Sequence, residues 1–423
     1  MTFEERFTDL VPALTKADAV AAASACLYCA DAPCTKACPT HIDVPAFIRK
    51  ISTDNLKGAA RVILSANVLG GSCARVCPVE ELCEGACVQN RLRHEPVRIA
   101  RLQRYATDAA ISHEWKLFEK GPMNGRKVAC VGAGPASLSA AFVLAQKGYA
   151  VTVYDERELP GGLDTYAMAD YKLKIPAAQA EIETLKDLGV TFVMKTTVGR
   201  DVPFAELEAK SDAIFLGIGL GGTARLGIPG EGEPGVVDAL SFIEKLKTAP
   251  YAQSAFSGEV LVIGAGNTAI DAVTQSKRLG AKSATIVYRR GEEDMPCFDY
   301  EYELAKKDGC RFEFGARPKR IERSGDRLAL VCEREGREVS FLGDRIIRAI
   351  GQAKRREMFD TLGIALDDQG RVLVDSASQR TSNPRYFAGG DCVNGGQEAV
   401  NAVAAGKRAA AGIDATFALR QVA

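Results

Sequence analysis

The sequence predicts a multidomain protein in which an all-α N-terminal domain is followed by two α/β domains with parallel sheets. The chain has 423 residues, which is enough for two to four domains. Eight of its 13 cysteines lie between Cys26 and Cys87, in a stretch that otherwise has helical character. Two copies of a strand, glycine turn and helix unit follow about 130 residues apart, a pattern typical of α/β folds.

The composition is that of an ordinary folded protein, with 47% hydrophobic and 26% charged residues. Lysine plus arginine and aspartate plus glutamate number 54 each, so no basic field for nucleic acid or an anionic membrane is expected. The N-terminal sequence MTFEERFTDLVPAL lacks the basic and apolar regions of a signal peptide. No uninterrupted apolar run of about 18 residues occurs. We therefore expect a cytoplasmic protein without nucleic-acid or membrane partners.

Residues 1–121 are predicted to form the helical domain. KADAVAAASA is rich in alanine, and HIDVPAFIRKI offers Asp43 as a helix cap with Pro45 in the first turn. NLKGAARVILSANVLGG has helical apolar spacing and is predicted to stop at Gly70–Gly71. The polar run KGPMNG, residues 120–125, predicts a linker to the α/β region.

The clustered cysteines form two blocks, Cys26-x2-Cys29-x4-Cys34-x3-Cys38-Pro and Cys73-x3-Cys77-Pro-x4-Cys83-x3-Cys87. Only the pair Cys26 and Cys29 has the spacing of a zinc knuckle. The Cys-Pro endings are instead typical of bacterial ferredoxins with two [4Fe–4S] clusters. The spacing therefore favours two such clusters, with zinc as the alternative and disulfides disfavoured in a chain without a secretory signal. The five scattered cysteines are interpreted as buried small hydrophobes: Cys130, Cys297, Cys310, Cys332 and Cys392.

The first glycine turn, Gly132-Ala-Gly134-Pro-Ala-Ser137, lies between a strand and a helix and precedes Asp155 by about twenty residues. Its glycines would let a pyrophosphate approach the backbone at the helix N-terminus. Asp155 would accept a hydrogen bond from a ribose hydroxyl. This pattern predicts a dinucleotide site, the alternative being a turn of this form without a ligand.

The second turn, Gly264-Ala-Gly266-Asn-Thr-Ala269, differs at the end of the following strand, TIVYRR. Arg289 and Arg290 stand where an NAD site has an acid. Guanidinium groups suit a 2′-phosphate, so the pattern favours NADP(H) over NAD(H). The alternative is a solvated strand end.

The segment RYFAGGDCVNGGQEAV, residues 385–400, predicts a strand, a Gly-Gly-Asp turn and a helix beginning near Glu398. Together with the two turns it indicates a flavoprotein disulfide-reductase-like architecture, in which Asp391 binds the flavin's ribityl–phosphate region and the helix dipole stabilises reduced flavin. No CxxC follows residue 29, which disfavours a thioredoxin-reductase-like activity. The predicted domains are an iron–sulfur domain at 1–121, an FAD domain at 122–257 and 352–423, and an NAD(P)H domain at 258–351.

Over essentially its whole length, the chain resembles the electron-input half of dihydropyrimidine dehydrogenase and the related small subunit of glutamate synthase. The segments CLYCADAPCTKACP, LGGSCARVCPVEELCEGAC, GAGPASLSAA and FAGGD are similar to segments of that family. The resemblance implies that one cluster is held by Cys26, Cys29, Cys34 and Cys87, and the other by Cys38, Cys77, Cys83 and Gln103. Cys73 would then be a bystander. Since the glutamate synthase subunit carries a glutamate near Gln103, this residue favours the pyrimidine branch.

The resemblance also implies the nucleotide-binding residues. Lys172 replaces a family arginine, and Pro296 replaces another arginine that helps to hold NADP. The implied flavin positions are Gly132, Gly134, Pro135, Ser137, Asp155, Gly162, Leu163, Lys172, Gly390 and Asp391. The implied nicotinamide-nucleotide positions are Gly264, Gly266, Asn267, Thr268, Arg289 and Arg290.

The barrel that carries FMN in the full-length family enzyme would need several hundred more residues. The resemblance therefore implies a separate electron-input subunit that takes hydride from NAD(P)H onto FAD and passes single electrons through two [4Fe–4S] clusters. Its partner would be an FMN and iron–sulfur catalytic subunit that reduces uracil and thymine. No protein side chain is expected to act as acid, base or nucleophile. The alternatives are a glutamate-synthase-type small subunit with another partner, and a nucleotide-sensing fold with a zinc domain.

Overall fold

The computed structural model describes residues 2–420. Its α-helices are α1 (Phe3–Arg6), α2 (Lys16–Ser24), α3 (Pro33–Ala37), α4 (Val44–Ser52), α5 (Leu56–Ala66), α6 (Gly70–Val76), α7 (Val88–Arg91), α8 (Ile99–Ser112), α9 (Pro135–Gln146), α10 (Leu163–Tyr166), α11 (Ile175–Asp187), α12 (Phe204–Lys210), α13 (Ala239–Thr248), α14 (Tyr251–Ser254), α15 (Asn267–Arg278), α16 (Asp299–Lys307), α17 (Arg356–Thr361), α18 (Asp391–Asn394) and α19 (Ala399–Arg420). A short 3-10 helix covers Glu292–Asp294.

The strands are β1 (Lys127–Val131), β2 (Ala150–Tyr154), β3 (Thr191–Val193), β4 (Ala213–Leu216), β5 (Val236–Asp238), β6 (Glu259–Ile263), β7 (Ser283–Val287), β8 (Arg311–Glu313), β9 (Arg317–Ser324), β10 (Arg327–Arg334), β11 (Arg337–Gly343), β12 (Arg345–Arg348) and β13 (Tyr386–Ala388). The chain divides into two compact units. The larger unit comprises residues 10–165, 175–220 and 354–420, and the smaller unit comprises residues 2–9, 166–174 and 221–353.

The larger unit begins with the helices of the cysteine-rich segment. Asp43 caps α4 by accepting a hydrogen bond from the Ala46 amide at 3.1 Å, with Pro45 in the first turn, as predicted. The predicted helix stop at Gly70–Gly71 is wrong, because α5 already ends at Ala66 and the two glycines begin α6. The intervening residue Asn67 has an extended backbone, and its side-chain oxygen accepts a hydrogen bond from the Leu69 amide.

The larger unit also contains a parallel sheet with the strand order β13-β4-β1-β2-β3. β13, from the late Gly-Gly-Asp segment, pairs with β4, so this sheet is built from residues before and after the smaller unit's main segment. The small-residue helix α9 packs against α19 and the sheet. Apolar side chains of these elements form one core.

The smaller unit holds a second parallel sheet, with the order β5-β12-β6-β7-β8, and an antiparallel sheet of β9, β10 and β11. β5 pairs with β12, although residues 122–257 were assigned to the first α/β domain. The three residues Val-Val-Asp of β5 follow a glycine-rich stretch and are too few to show a strand pattern. Residues 2–9 also belong to this unit rather than to the helical domain. Within residues 2–420, no helix combines the length and apolar character needed to cross a membrane.

Four of the scattered cysteines, Cys130, Cys310, Cys332 and Cys392, are buried, and Cys297 is half-buried. Cys130 is in β1 and Cys332 in β10, where each packs in a hydrophobic core. Burial of these four agrees with the interpretation as small hydrophobes, whereas the half-buried Cys297 does not fit it, because it lies in a bend rather than in a helix or strand.

Candidate cofactor-binding sites

The first set of thiols lines one cavity in the helical domain. The cavity walls include all four cysteines that the resemblance assigned to one cluster, Cys26, Cys29, Cys34 and Cys87. Apolar side chains of α4 and α8, among them Ile48 and Ile99, complete the lining. Burial raises the pKa of Cys34 to about 11 and also raises that of Cys26. Thiols in such surroundings become thiolates readily only when a metal compensates the charge.

A second set of thiols combines the last cysteine of the first block, Cys38, with the first three cysteines of the second block. The Cys77 thiol is hydrogen-bonded to that of Cys73. This hydrogen bond, burial, and the nearby Cys73, Cys83 and Cys38 raise the pKa of Cys77 well above the ordinary value. The Cys38 Sγ lies 3.2 Å from the hydroxyl of Thr40. Cys73, expected to be a bystander, is therefore a member of this set, and its Sγ accepts a hydrogen bond from Asn67 Nδ2 at 3.1 Å.

Gln103 is buried on α8, and its Nε2 donates to the Gly70 carbonyl at 2.7 Å. This bond holds the amide against α6, the helix that carries Cys73 and is followed by Cys77. It leaves the amide oxygen available as a ligand atom.

The donor groups suit iron–sulfur clusters. Among residues 2–420, no three side chains of His, Cys, Asp or Glu lie close enough to surround a single metal ion. The thiols instead form two sets of four, Cys26, Cys29, Cys34 and Cys87 in one and Cys38, Cys73, Cys77 and Cys83 in the other. Cys thiolates are the usual ligands of [4Fe–4S] clusters, which take them at separate corners.

The first glycine turn leaves open space before the N-terminus of α9. Gly132 has φ of 88°, and a Cβ there would lie 2.5 Å from the Gly217 carbonyl oxygen. Gly134 caps α9 without a side-chain hydrogen bond, and a Cβ at this position would have no neighbour closer than 3.9 Å. Gly162 passes so close that its own Cβ would lie 2.8 Å from the Gly134 Cα. A pyrophosphate would therefore find room close to the backbone at the N-terminus of α9.

Asp155 follows β2, directly beside this turn. Its Oδ2 accepts a hydrogen bond from the Ala133 amide at 2.7 Å, and its Oδ1 accepts one from the Arg157 amide at 2.8 Å. The two bonds fix the carboxylate, and each oxygen keeps a lone pair for a ribose hydroxyl.

The late Gly-Gly-Asp turn lies against the first turn of α9. A Cβ at Gly390, which has φ of 77°, would lie 3.2 Å from the Ala136 Cβ. Asp391 begins α18, accepts a hydrogen bond from the Gln397 amide, and has its pKa raised by burial. The Ser137 hydroxyl is buried with no hydrogen-bond partner among the described residues. The larger unit thus brings together most of the predicted flavin residues: Gly132, Gly134, Pro135, Ser137, Asp155, Gly162, Leu163, Gly390 and Asp391.

Lys172 belongs to the smaller unit, where its ammonium is buried between two carboxylates. The Nζ lies 2.7 Å from Asp271 Oδ1 and 2.6 Å from Glu301 Oε1. Burial alone would lower the pKa of Lys172, but the two carboxylates outweigh it and raise that pKa. The structure therefore gives Lys172 partners within its own unit, and its role at the flavin stays a prediction.

The second glycine turn repeats the first in the smaller unit. Gly264 has φ of 126°, and a Cβ there would collide with the Ala349 carbonyl oxygen. Gly266 caps α15 without a side-chain hydrogen bond, and a Cβ would have only Pro296 within 4 Å, at 3.9 Å. Asn267, which together with Thr268 begins α15, accepts a hydrogen bond from the Phe298 amide at 3.0 Å.

Arg289 and Arg290 follow β7, on the strand next to the second turn. Both are exposed, and neither guanidinium forms an ion pair within residues 2–420. They remain available to an anionic group of a bound nucleotide.

Comparisons with known proteins place this geometry in a family. Residues 3–115 match the model described as dihydropyrimidine dehydrogenase domain II, 4Fe-4S cluster. Residues 126–406, well over half of the chain, match the pyridine nucleotide-disulphide oxidoreductase model. The chain belongs to the pyridine nucleotide-disulphide oxidoreductase family. It is an NAD(P)H-dependent flavin and iron–sulfur oxidoreductase.

Curated relatives in this family include two kinds of subunit. The NAD-dependent dihydropyrimidine dehydrogenase subunit PreT of Escherichia coli K12 is 34% identical over 405 residues, covering 96% of both chains. The glutamate synthase [NADPH] small chain of the same strain is 33% identical over 444 residues, covering 96% of this chain and 93% of its own. The resemblance noted from the motifs is thereby confirmed over most of the chain.

Solved structures share the fold of the family. Thioredoxin reductase from T. acidophilum aligns with a TM-score of 0.56 at 21% identity, covering 69% of this chain and 99% of its own. Thioredoxin reductase from Lactococcus lactis aligns with a TM-score of 0.57 at 23% identity, covering 70% and 99%. These likenesses concern the two α/β folds.

Two charged side chains near the second thiol set escaped the sequence analysis, Glu181 of α11 and Lys407 of α19. Glu181 lies among the buried positions of its helix, next to Ile182 and with Ala178 and Leu185 one turn away. A glutamate on the apolar face of a helix is the signal that could have identified it.

Proposed function

We propose that this chain is the electron-input subunit of a dihydropyrimidine dehydrogenase-type enzyme. The observation that carries the proposal is the presence, in one compact unit, of two sets of four thiols and a flavin-type glycine turn. The relative PreT is named as a dihydropyrimidine dehydrogenase subunit and matches 96% of the chain. When bound, flavin and clusters would supply the conversion of a hydride into single electrons.

The residues of the chain hold and orient these groups. The open space before α9 and the anchored carboxylate of Asp155 would receive the pyrophosphate and ribose of FAD. The buried side chain of Ser137 and the half-buried side chain of Asp391 would contact the rest of the flavin. The proposed cluster ligands are Cys26, Cys29, Cys34 and Cys87 for one cluster, and Cys38, Cys77, Cys83 and Gln103 for the other.

The proposed electron donor is NADPH in preference to NADH. Arg289 and Arg290 support this preference, because both are exposed and have no ion-pair partner in the described part of the chain, at the strand end where a 2′-phosphate would lie. The relatives differ on this point, since PreT is named NAD-dependent and the glutamate synthase chain carries NADPH in its name.

The proposed partner is a catalytic subunit that carries FMN and reduces uracil or thymine. Leu27, which lies between Cys26 and Cys29, is about half exposed, and the adjacent Tyr28 is also exposed. Apolar groups at the surface beside the first thiol set suit a site from which electrons leave to a bound protein.

A glutamate-synthase-type small subunit is the second candidate, because the relative of that name matches the chain nearly as well as PreT. Gln103 favours the pyrimidine branch. Reconstitution separates the two. The purified chain with an FMN-bearing dihydropyrimidine dehydrogenase subunit should support NADPH-driven loss of uracil absorbance, and with a glutamate synthase large subunit it should form no glutamate from glutamine and 2-oxoglutarate. Glutamate formation without uracil reduction would reverse the assignment.

Metal and flavin analysis of the isolated chain tests the cofactors separately. We expect about eight iron atoms per chain, two [4Fe–4S] clusters, together with one FAD. Stoichiometric zinc with little iron would instead support the nucleotide-sensing alternative.

A further inference from the structure

The turn between α5 and α6, residues 67–69, belongs to two parts of the larger unit. Val68 and Leu69 are 3% and 2% exposed and lie in the core formed by the first parallel sheet and its helices. Cys73, only four residues after Leu69, lies in the core of the helical domain. The turn therefore inserts into the flavin-type fold at one end and leads into the second thiol set at the other.

Glu181, on helix α11, accepts hydrogen bonds from the first residues of α6 and so links this helix to the flavin-type fold. Its side chain is 4% exposed. Its Oε1 accepts a hydrogen bond from the Gly71 amide at 2.6 Å, and its Oε2 accepts bonds from the Ser72 amide and hydroxyl at 3.1 and 2.5 Å. A carboxylate bonded to the first amides of a helix is favoured by the helix dipole. Burial opposes the charge and raises the pKa of Glu181 to about 7.

Lys407 holds the other side of the same turn. Its Nζ donates to the carbonyl of Ala66, the last residue of α5, at 2.7 Å, and to the carbonyl of Thr40 at 3.2 Å. A cation at the C-terminal end of α5 again matches the helix dipole. The Thr40 hydroxyl is hydrogen-bonded to the Cys38 thiol. The Lys407 ammonium therefore lies near Cys38, a predicted ligand of the second cluster.

Gly406, the residue before Lys407, packs against the start of α9, directly after the first glycine turn. A Cβ at Gly406 would collide with the carbonyl oxygen of Ala136, in the first turn of α9. Of these two consecutive residues of α19, Gly406 thus packs against α9, and Lys407 donates hydrogen bonds to the carbonyls of Thr40 and Ala66.

Side chains inside the turn complete the connection to the thiols. Asn67 accepts a hydrogen bond from the Leu69 amide and donates one to the Cys73 Sγ. Gln103 donates to the Gly70 carbonyl. Any displacement of the turn would therefore move Cys73 and Gln103 together.

From these contacts we infer that Glu181 and Lys407 are positioning residues that hold the second cluster against the flavin-binding fold, and that the Lys407 charge favours the reduced state of that cluster. The inference rests on the proposed function. Reduction adds negative charge to a cluster, and a neighbouring cation stabilises the more negative state. Glu181 acts through the backbone of α6, so it sets the position of the thiols.

Redox titration of the whole chain, followed by EPR and absorbance, tests the inference. In Lys407→Met, the ratio of reduced to oxidised second cluster at a fixed potential should fall by about tenfold, while the first cluster and the flavin titrate as in the unaltered chain. Lys407→Arg should restore the ratio. In Glu181→Gln, flavin reduction by NADPH should be unchanged, while appearance of the second-cluster signal slows by about tenfold. Loss of the second cluster alone, with flavin retained, would also support the positioning role.

Two exposed residues of the same helices provide matched controls. Glu183→Gln in α11 and Arg408→Gln in α19 should change neither signal. Full iron and flavin contents in Lys407→Met and Glu181→Gln, with the unaltered titration and rates, would overturn the inference. Absence of iron and flavin from the unaltered chain would instead refute the proposed function.

Discussion

The two glycine turns follow the same plan but end in opposite charges. Both leave open space before a helix capped by a glycine, Gly134 in one and Gly266 in the other. The first turn has an acid beside it, Asp155, held by two backbone amides. The second has Arg289 and Arg290, exposed and without ion pairs within residues 2–420. In the proposed function, the shared glycines would receive a pyrophosphate in both turns, whereas the side chains at the strand ends would select the nucleotide.

Replacing Gly134 by alanine should have the largest effect. Its φ of −81° suits alanine, and the new methyl group would meet no protein atom closer than 3.9 Å, so the chain should fold. The methyl would occupy the space for the flavin pyrophosphate, and flavin content should fall to less than about a tenth. Absorbance of the purified variant measures the flavin, and circular dichroism checks the fold. A folded variant with full flavin content would place the FAD elsewhere.

The matched substitution Gly266→Ala should affect only the second turn. Flavin content should stay unchanged, while the NADPH concentration for half-maximal flavin reduction rises roughly 100-fold through lost hydrogen bonds to the pyrophosphate. Stopped-flow absorbance at increasing NADPH gives this concentration. An unchanged value, or loss of flavin from this variant, would show that the two turns do not serve separate nucleotides.

Arg289→Ala and Arg290→Ala should distinguish the two pyridine nucleotides. Each substitution should raise KM for NADPH by about tenfold, since each removes a charge-assisted hydrogen bond, and should leave KM for NADH unchanged. Steady-state reduction of an artificial acceptor with both donors measures the effect. Arg337→Ala, an exposed arginine of β11, is the control. Equal changes for both donors would mean that the arginines do not recognise a 2′-phosphate.

Asp155→Asn should have the smallest effect. The side chain keeps its size but loses the charge that anchors it to two amides, and FAD affinity should fall about threefold. Fluorescence titration of the flavin-free chain with FAD provides the measurement. A loss as large as that of Gly134→Ala would mean that the acid, rather than the glycine turn, dominates flavin binding.

The local patterns were predictable from the sequence. A glycine turn needs only a few neighbouring residues, and both turns are found where the sequence placed them, each between a strand and a helix. The first cysteine set likewise lines one cavity. Short-range spacing encodes these features, because the same segment supplies both the geometry and the ligand atoms.

Features that depend on distant residues were missed. The end of α5 at Ala66 could not be deduced from the local sequence. The start of α6 depends on Glu181, more than a hundred positions away, whose carboxylate accepts hydrogen bonds from the amides of Gly71 and Ser72. The ion pairs of Lys172 with Asp271 and Glu301 could not be foreseen, because these carboxylates lie about a hundred or more positions away, while its role at the flavin, implied by the resemblance, stays a prediction. β5 is too short to show a periodic hydrophobic pattern, and it joins the second sheet by pairing with β12. Such pairings are decided by tertiary packing.

The central claim is that the chain carries electrons from a nicotinamide nucleotide to its own clusters. Anaerobic addition of NADPH to the purified chain, with absorbance and EPR recorded together, tests it most directly. The account predicts that the flavin bleaches and that an iron–sulfur EPR signal appears with no partner subunit present, and that NADPH acts more effectively than NADH. Bleaching of the flavin while the clusters stay oxidised, even with excess NADPH and the catalytic subunit added, would contradict it.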